Sequence, residues 1–132
     1  MSLIEWNATM TAGRGRTGTL YLIAEAGGRW SVSVDGDMLC LTGAAAQAVQ
    51  RTEYLEALKH VACGRAHELT FDQLAHAAVV AGEMKEAAET VLANGTLPPD
   101  ELESVDQYGR CLGDLLRLIA AEQDRRRKRA PS

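Results

Sequence analysis

Two hydrophobic periods divide the chain near residue 42. Upstream, apolar and polar positions alternate, which is the two-residue period of half-buried strands. Ile4, Trp6 and Ala8 alternate with Leu3, Glu5 and Asn7, and Trp30, Val32 and Val34 alternate with Ser31, Ser33 and Asp35. Residues 20–24 form a short apolar run between them, and residues 38–41 a last one. Gly27-Gly28 and Asp35-Gly36 are turn signals, because these residues tolerate positive φ. The pattern predicts four antiparallel strands in a meander, with the Gly-rich stretch 11–18 as a loop between the first two.

Downstream the period becomes helical. Thr42 is placed to cap a helix over about 43–63, with Leu55, Leu58 and Ala62 on one face and Gly64 as its stop. Thr70-Phe71-Asp72-Gln73 has the capping-box form, in which the Thr hydroxyl and the Gln side chain satisfy each other's backbone amides. It opens a helix over about 70–94 that Asn94-Gly95 closes. Pro98-Pro99-Asp100-Glu101 opens a third over about 98–124, since proline is tolerated in a first turn and acids favour the positive helix end. There Leu102, Val105, Gly109, Leu112, Leu116 and Ile119 recur at alternating spacings of three and four, with Tyr108, Leu115 and Leu118 widening the stripe. The expected fold is one α+β domain over 1–124, a four-stranded antiparallel meander packed by three C-terminal helices, followed by a basic tail over 125–132.

Composition narrows the class. With 132 residues, 46% apolar and 24% charged, the chain suits a single globular domain that buries its own core. Cys40, Cys63 and Cys111 have no paired spacing, which favours a reducing compartment over a disulfide scaffold. No secretory leader and no membrane-length apolar run is read, so a cytoplasmic protein without membrane contact is expected. No cofactor is expected.

Charge is the most uneven property. Residues 66–124 hold twelve acidic side chains against three basic, and residues 125–129 are all basic; the whole chain carries −4. Glu83, Glu86, Glu89, Asp100, Glu101, Glu103 and Asp106 form an acidic helical surface suited to a protein partner with a basic surface. Arg125, Arg126, Arg127, Lys128 and Arg129, with Arg14 and Arg16 of the Gly-rich stretch, are the candidate phosphate contacts, so nucleic acid can meet the tail. The bland reading of that block is helix-end stabilisation, with Glu122/Arg126 and Asp124/Lys128 as ion pairs one turn apart.

Three other motifs are weighed. Gly13-Arg14-Gly15-Arg16-Thr17-Gly18 matches a dinucleotide fingerprint literally, but a strand follows it where a helix is required. It reads as a mobile hairpin tip or as a loop offering two guanidiniums to an anion. His60, Cys63 and His67 have metal-like spacing but lack a fourth ligand. Cys63 beside His60 or His67 could also be drawn as a nucleophile and base, while Cys40 and Cys111 are expected in the core as inert thiols. A homodimer through the third helix is a further expectation. The leading function is a non-enzymatic binding module of adaptor or inhibitor type, for instance one that a phage or mobile element directs at a host nucleic-acid-binding complex. Its alternatives are a nucleic-acid accessory protein and a small enzyme of unknown reaction.

Overall fold

A computed structural model describes residues 2–27, 29–35, 37–42 and 45–129, with the backbone alone at 25, 26, 29, 37–42 and 45–47. The expected α+β order holds, an antiparallel meander followed by three helices. The strands are β1 (Ile4–Trp6), β2 (Ala12–Gly15), β3 (Leu20–Ala26), β4 (Arg29–Val34) and β5 (Asp37–Thr42), each paired with its neighbour in chain order. The helices are α1 (Ala45–Ala62), α2 (Phe71–Asn94) and α3 (Pro99–Arg129).

The Gly-rich stretch is not simply a loop, because it supplies β2. Gly13 and Gly15 alternate with Arg14 and pair with Trp6 and Ile4 across β1. Both glycines are buried while Arg14 and Arg16 are exposed. This is ordinary strand alternation with glycine as the inward residue, the usual sign of another group approaching the backbone closely. A Cβ at Gly13 would lie 2.8 Å from the Trp6 ring. The first strand ends at Trp6 although the alternation continues to Ala8, because the Asn7 carboxamide oxygen accepts from the Thr11 and Ala12 amides at 2.9 and 3.2 Å. Such Asn turns compete with strand continuation.

Helix α1 is the middle layer. One side meets the sheet, where Ile4, Tyr21, Ile23, Val32 and Ala48 form a buried cluster. The other meets α2 and α3, where Ala57, Leu58, Val61, Leu74, Ala77, Val80, Leu112 and Ile119 form a second. Each fully buried Leu, Ile or Val contributes about 1.5–3 kcal/mol relative to exposure. Leu58 takes its expected core place, whereas Leu55 is half-buried and Ala62 exposed. Thr42, the expected cap of α1, is the last residue of β5, and residues 43 and 44 lie outside the described set. Gly28 and Gly36, the second members of the two expected turns, also lie outside it.

The other helix boundaries follow local chemistry as expected. Gly64 ends α1 with φ 75°. The Gln73 amide donates to Thr70 Oγ1 at 3.1 Å and the Thr70 amide to Gln73 Oε1 at 2.9 Å, completing the capping box. Gly95 closes α2 in the left-handed region at φ 61°, and Pro99 begins α3. Helices α2 and α3 run antiparallel, with Gly109 against Ala88 and Gly113 against Lys85. A Cβ at Gly109 would sit 3.7 Å from Ala88, an ordinary contact, so the packing does not demand glycine there. Cys111 is exposed, contrary to the expected core thiol. It lies one position from Leu112, about 100° around the helix and off the face that meets α2. Cys40 has no described side chain.

Candidate functional site

The chemistry-bearing residues with the least contact with water lie between the sheet and α1. Ala48, Thr52, Glu56 and His60 recur every four residues on α1, so all four share the face that covers the sheet. Glu56 is 0% exposed and His60 1%. The Glu56 carboxylate accepts from the Thr17 amide at 2.9 Å, the Thr17 hydroxyl at 2.9 Å and the Tyr21 hydroxyl at 2.7 Å. Gly15 makes room for it, because a Cβ there would lie 2.6 Å from Glu56 Oε2 and closer still to the rest of the carboxyl group.

Burial, followed by the hydrogen bond to Glu56, pushes the Tyr21 hydroxyl far above its usual value, so it stays a phenol donor. His60 Nδ1 lies 2.9 Å from the Glu56 main-chain oxygen. A carbonyl only accepts, so Nδ1 carries the proton. Nδ1 is also 3.5 Å from Glu56 Oε2, and Nε2 is buried with no partner among the described residues. A carboxylate beside an imidazole could in principle serve acid–base chemistry. Here both are sealed, and the carboxylate ties the β2–β3 turn to the helix.

Glu53, one turn earlier, fastens the first strand. It accepts from the Ser2 hydroxyl, from the Leu3 amide at 3.1 Å and from Trp6 Nε1 at 3.1 Å. Beside it, Tyr54 stacks on His76 with ring centroids 4.2 Å apart. The two rings share a cleft of about 320 Å³ with Glu53, Thr70 and Asp72.

The residues anticipated from sequence fall into separate places. His60 is buried against the sheet, while Cys63 and His67 are exposed beyond the end of α1. Among the described residues no three His, Cys, Asp or Glu side chains are grouped to hold a metal. Of the acidic surface, Glu83 pairs with Arg51, Glu89 with Lys85 at 2.7 Å and Asp106 with Arg110 at 3.2 Å. Glu86, Asp100, Glu101 and Glu103 have no ion-pair partner among the described residues and are exposed. Arg51 holds the Glu83 carboxyl below its ordinary value.

The basic block is helical to Arg129 rather than a separate tail. Arg126 donates to the Ala66 and Leu69 main-chain oxygens at 3.1 and 2.7 Å, fastening the end of α3 to the 3-10 turn Ala66–Glu68 and the residue after it. Arg125 and Arg126 both bond Glu122, and those bonds, Arg125's first, hold its carboxyl down at about 2. No ion pair joins Asp124 to Lys128. Arg127, Lys128 and Arg129 are exposed without a partner among the described residues.

The Glu122 pairing carries a definite pH signature. A carboxyl whose folded value lies below its ordinary 4.5 contributes stability that is fully present above that ordinary value and lost as pH falls through the folded one. Thermal melts should therefore show wild type losing stability between roughly pH 4.5 and 2, while Glu122→Gln loses less over that window. Parallel profiles would contradict the assignment.

Sequence reasoning missed Glu56, Tyr21 and Glu53, and read His60 as a candidate metal ligand or base rather than as a buried residue facing the sheet. The available signal was the four-residue recurrence of Thr52, Glu56 and His60 in register with Ala48, which looks like a solvated helix face. No helix among the described residues is long and apolar enough to cross a membrane. The fold defines this chain as an α+β domain with an N-terminal meander. No family model matches it, and neither a curated protein nor a solved structure does.

Proposed function

We propose that the protein is a non-enzymatic binding module of adaptor or inhibitor type, docking through acidic side chains of α2 and α3 on a basic protein surface. The observation that carries this reading is the exposed set Glu86, Asp100, Glu101 and Glu103, none of which is neutralised among the described residues. Unpaired surface acids raise association rates with a basic partner and make them salt-dependent. The sealing of Glu56 and His60 also favours binding over catalysis, since a substrate needs an open path to its acid and base. The target class that suits an acidic surface best is a protein whose own groove binds nucleic acid.

The test is affinity capture from the native host, with wild type and Glu86→Lys/Glu103→Lys run side by side. Wild type should retain a defined protein that elutes as salt rises, and the charge variant should lose it. Retention unchanged by the variant would overturn the reading.

Arg127, Lys128 and Arg129 favour a second reading, nucleic-acid contact at the end of α3. Removing residues 127–132 leaves the Arg126 anchor in place. If that truncation abolishes retention of a DNA duplex at low salt, the accessory-protein reading gains; if the duplex never binds, it falls.

A further inference from the structure

Beside the stripe of α3 that meets α2 runs a second heptad seam that the fold covers only in part, with Leu115 half-buried against the helical core. Tyr108, Cys111, Leu115 and Leu118 follow one another at spacings of three, four and three, continuing to Ser104 and Glu101 on one side and Glu122 and Arg125 on the other. Tyr108 is 47% exposed and Leu118 52%, and Cys111 is exposed. The two ends of the seam have opposite charge, Asp100 and Glu101 against Arg125 and Lys128. They are separated by about 36 Å of helix.

The geometry points to a second copy of this chain as the occupant, its α3 antiparallel to the first about a two-fold axis. Antiparallel coiled-coil pairing sets the first apolar position of one heptad against the second of the other. A single register does this throughout: Tyr108 opposes Leu118 and Cys111 opposes Leu115. The same register brings Glu101 to Arg125, which already bonds Glu122 of its own chain, and Asp100 beside Lys128. Parallel pairing would instead stack acid on acid and base on base, so charge selects the direction.

A groove of about 250 Å³ beside Leu118, lined by Val61, Ala66, His67 and Ala121, lies where the Tyr108 ring of the second copy arrives. At the centre Asp114 meets its own counterpart, and Arg117, 3.0 Å from Asp114, offsets the repulsion. The pairing does not rest on the docking reading above: it takes up Asp100 and Glu101 and leaves Glu86 and Glu103, which lie off the seam, as the acids open to another partner.

Sedimentation equilibrium of the intact chain at tens of micromolar should give twice the 14.2 kDa chain mass. Leu118→Glu should raise the dimer dissociation constant about thirtyfold or more, with unchanged circular dichroism because Leu118 is not a core residue. Asp100→Lys and Lys128→Asp should each weaken the dimer, and the double swap should restore it. The inference is overturned by a 14.2 kDa species alone, by a Leu118→Glu protein that stays dimeric, or by a double swap no tighter than either single variant.

Discussion

Replacing Glu56 with alanine should cost about 3–5 kcal/mol of folding stability, among the largest effects of any single change here. The loss does not come from a broken surface pair. Removing the carboxylate strands the Thr17 amide and the Tyr21 hydroxyl and leaves the Thr17 hydroxyl only Thr19 Oγ1 at 3.1 Å, and each stranded donor keeps its desolvation cost. Because a domain of this size has only about 5–15 kcal/mol in hand, the variant should unfold at a far lower urea midpoint. Glu56→Gln keeps the volume and one acceptor oxygen, so its loss should be smaller, about 1–3 kcal/mol. A Glu56→Ala midpoint within experimental error of wild type would mean that the network does not hold the sheet to α1.

Gly15→Ala is expected to cost about 3 kcal/mol or more, although it adds one methyl group. Gly15 does not adopt a positive φ, unlike Gly18 at φ 88°, so alanine fits the backbone and the cost is steric. The new Cβ would meet Glu56 Cδ and both carboxyl oxygens, pushing the carboxylate off its three donors. This gives a sharp coupling test. In a Glu56→Ala background the added methyl enters vacated space, so the two changes together should cost at least about 1 kcal/mol less than their sum. Additive urea data would show that Gly15 is needed for some reason other than Glu56.

The parts of this fold legible in sequence are those set by neighbours along the chain. The Thr70–Gln73 box, the left-handed Gly95 and the Pro99 helix start each involve residues within a turn of one another, so spacing alone reports them. The seam running from Leu102 to Ile119 is legible because it lies on one long helix, where period and face are equivalent. β2 was missed for a different reason. Gly13-Arg14-Gly15-Arg16 alternates as a strand should, but the inward residue is glycine, and hydrophobicity patterns do not register a glycine as buried. Glu56 was missed, and His60 was singled out only as a ligand or base, because polarity at helical spacing is normally a solvated face. Cys111 was misplaced because a broad apolar stripe does not say which of its edges turns outward.

The sequence by itself determined the alternation and periodicity, hence the change from strands to helices, the caps of α2, the start of α3 and the uneven charge along the chain. Only the tertiary structure decided that α1 is buried on both sides, and so that its polar stripe faces the sheet rather than water. It also decided which acids are spent on intrachain pairs and which remain exposed. Local patterns report the conformational preference of a segment, whereas burial of Glu56 depends on donors contributed by Thr17 and Tyr21. Those residues are remote along the chain and reach the carboxylate only once the meander has closed over the helix.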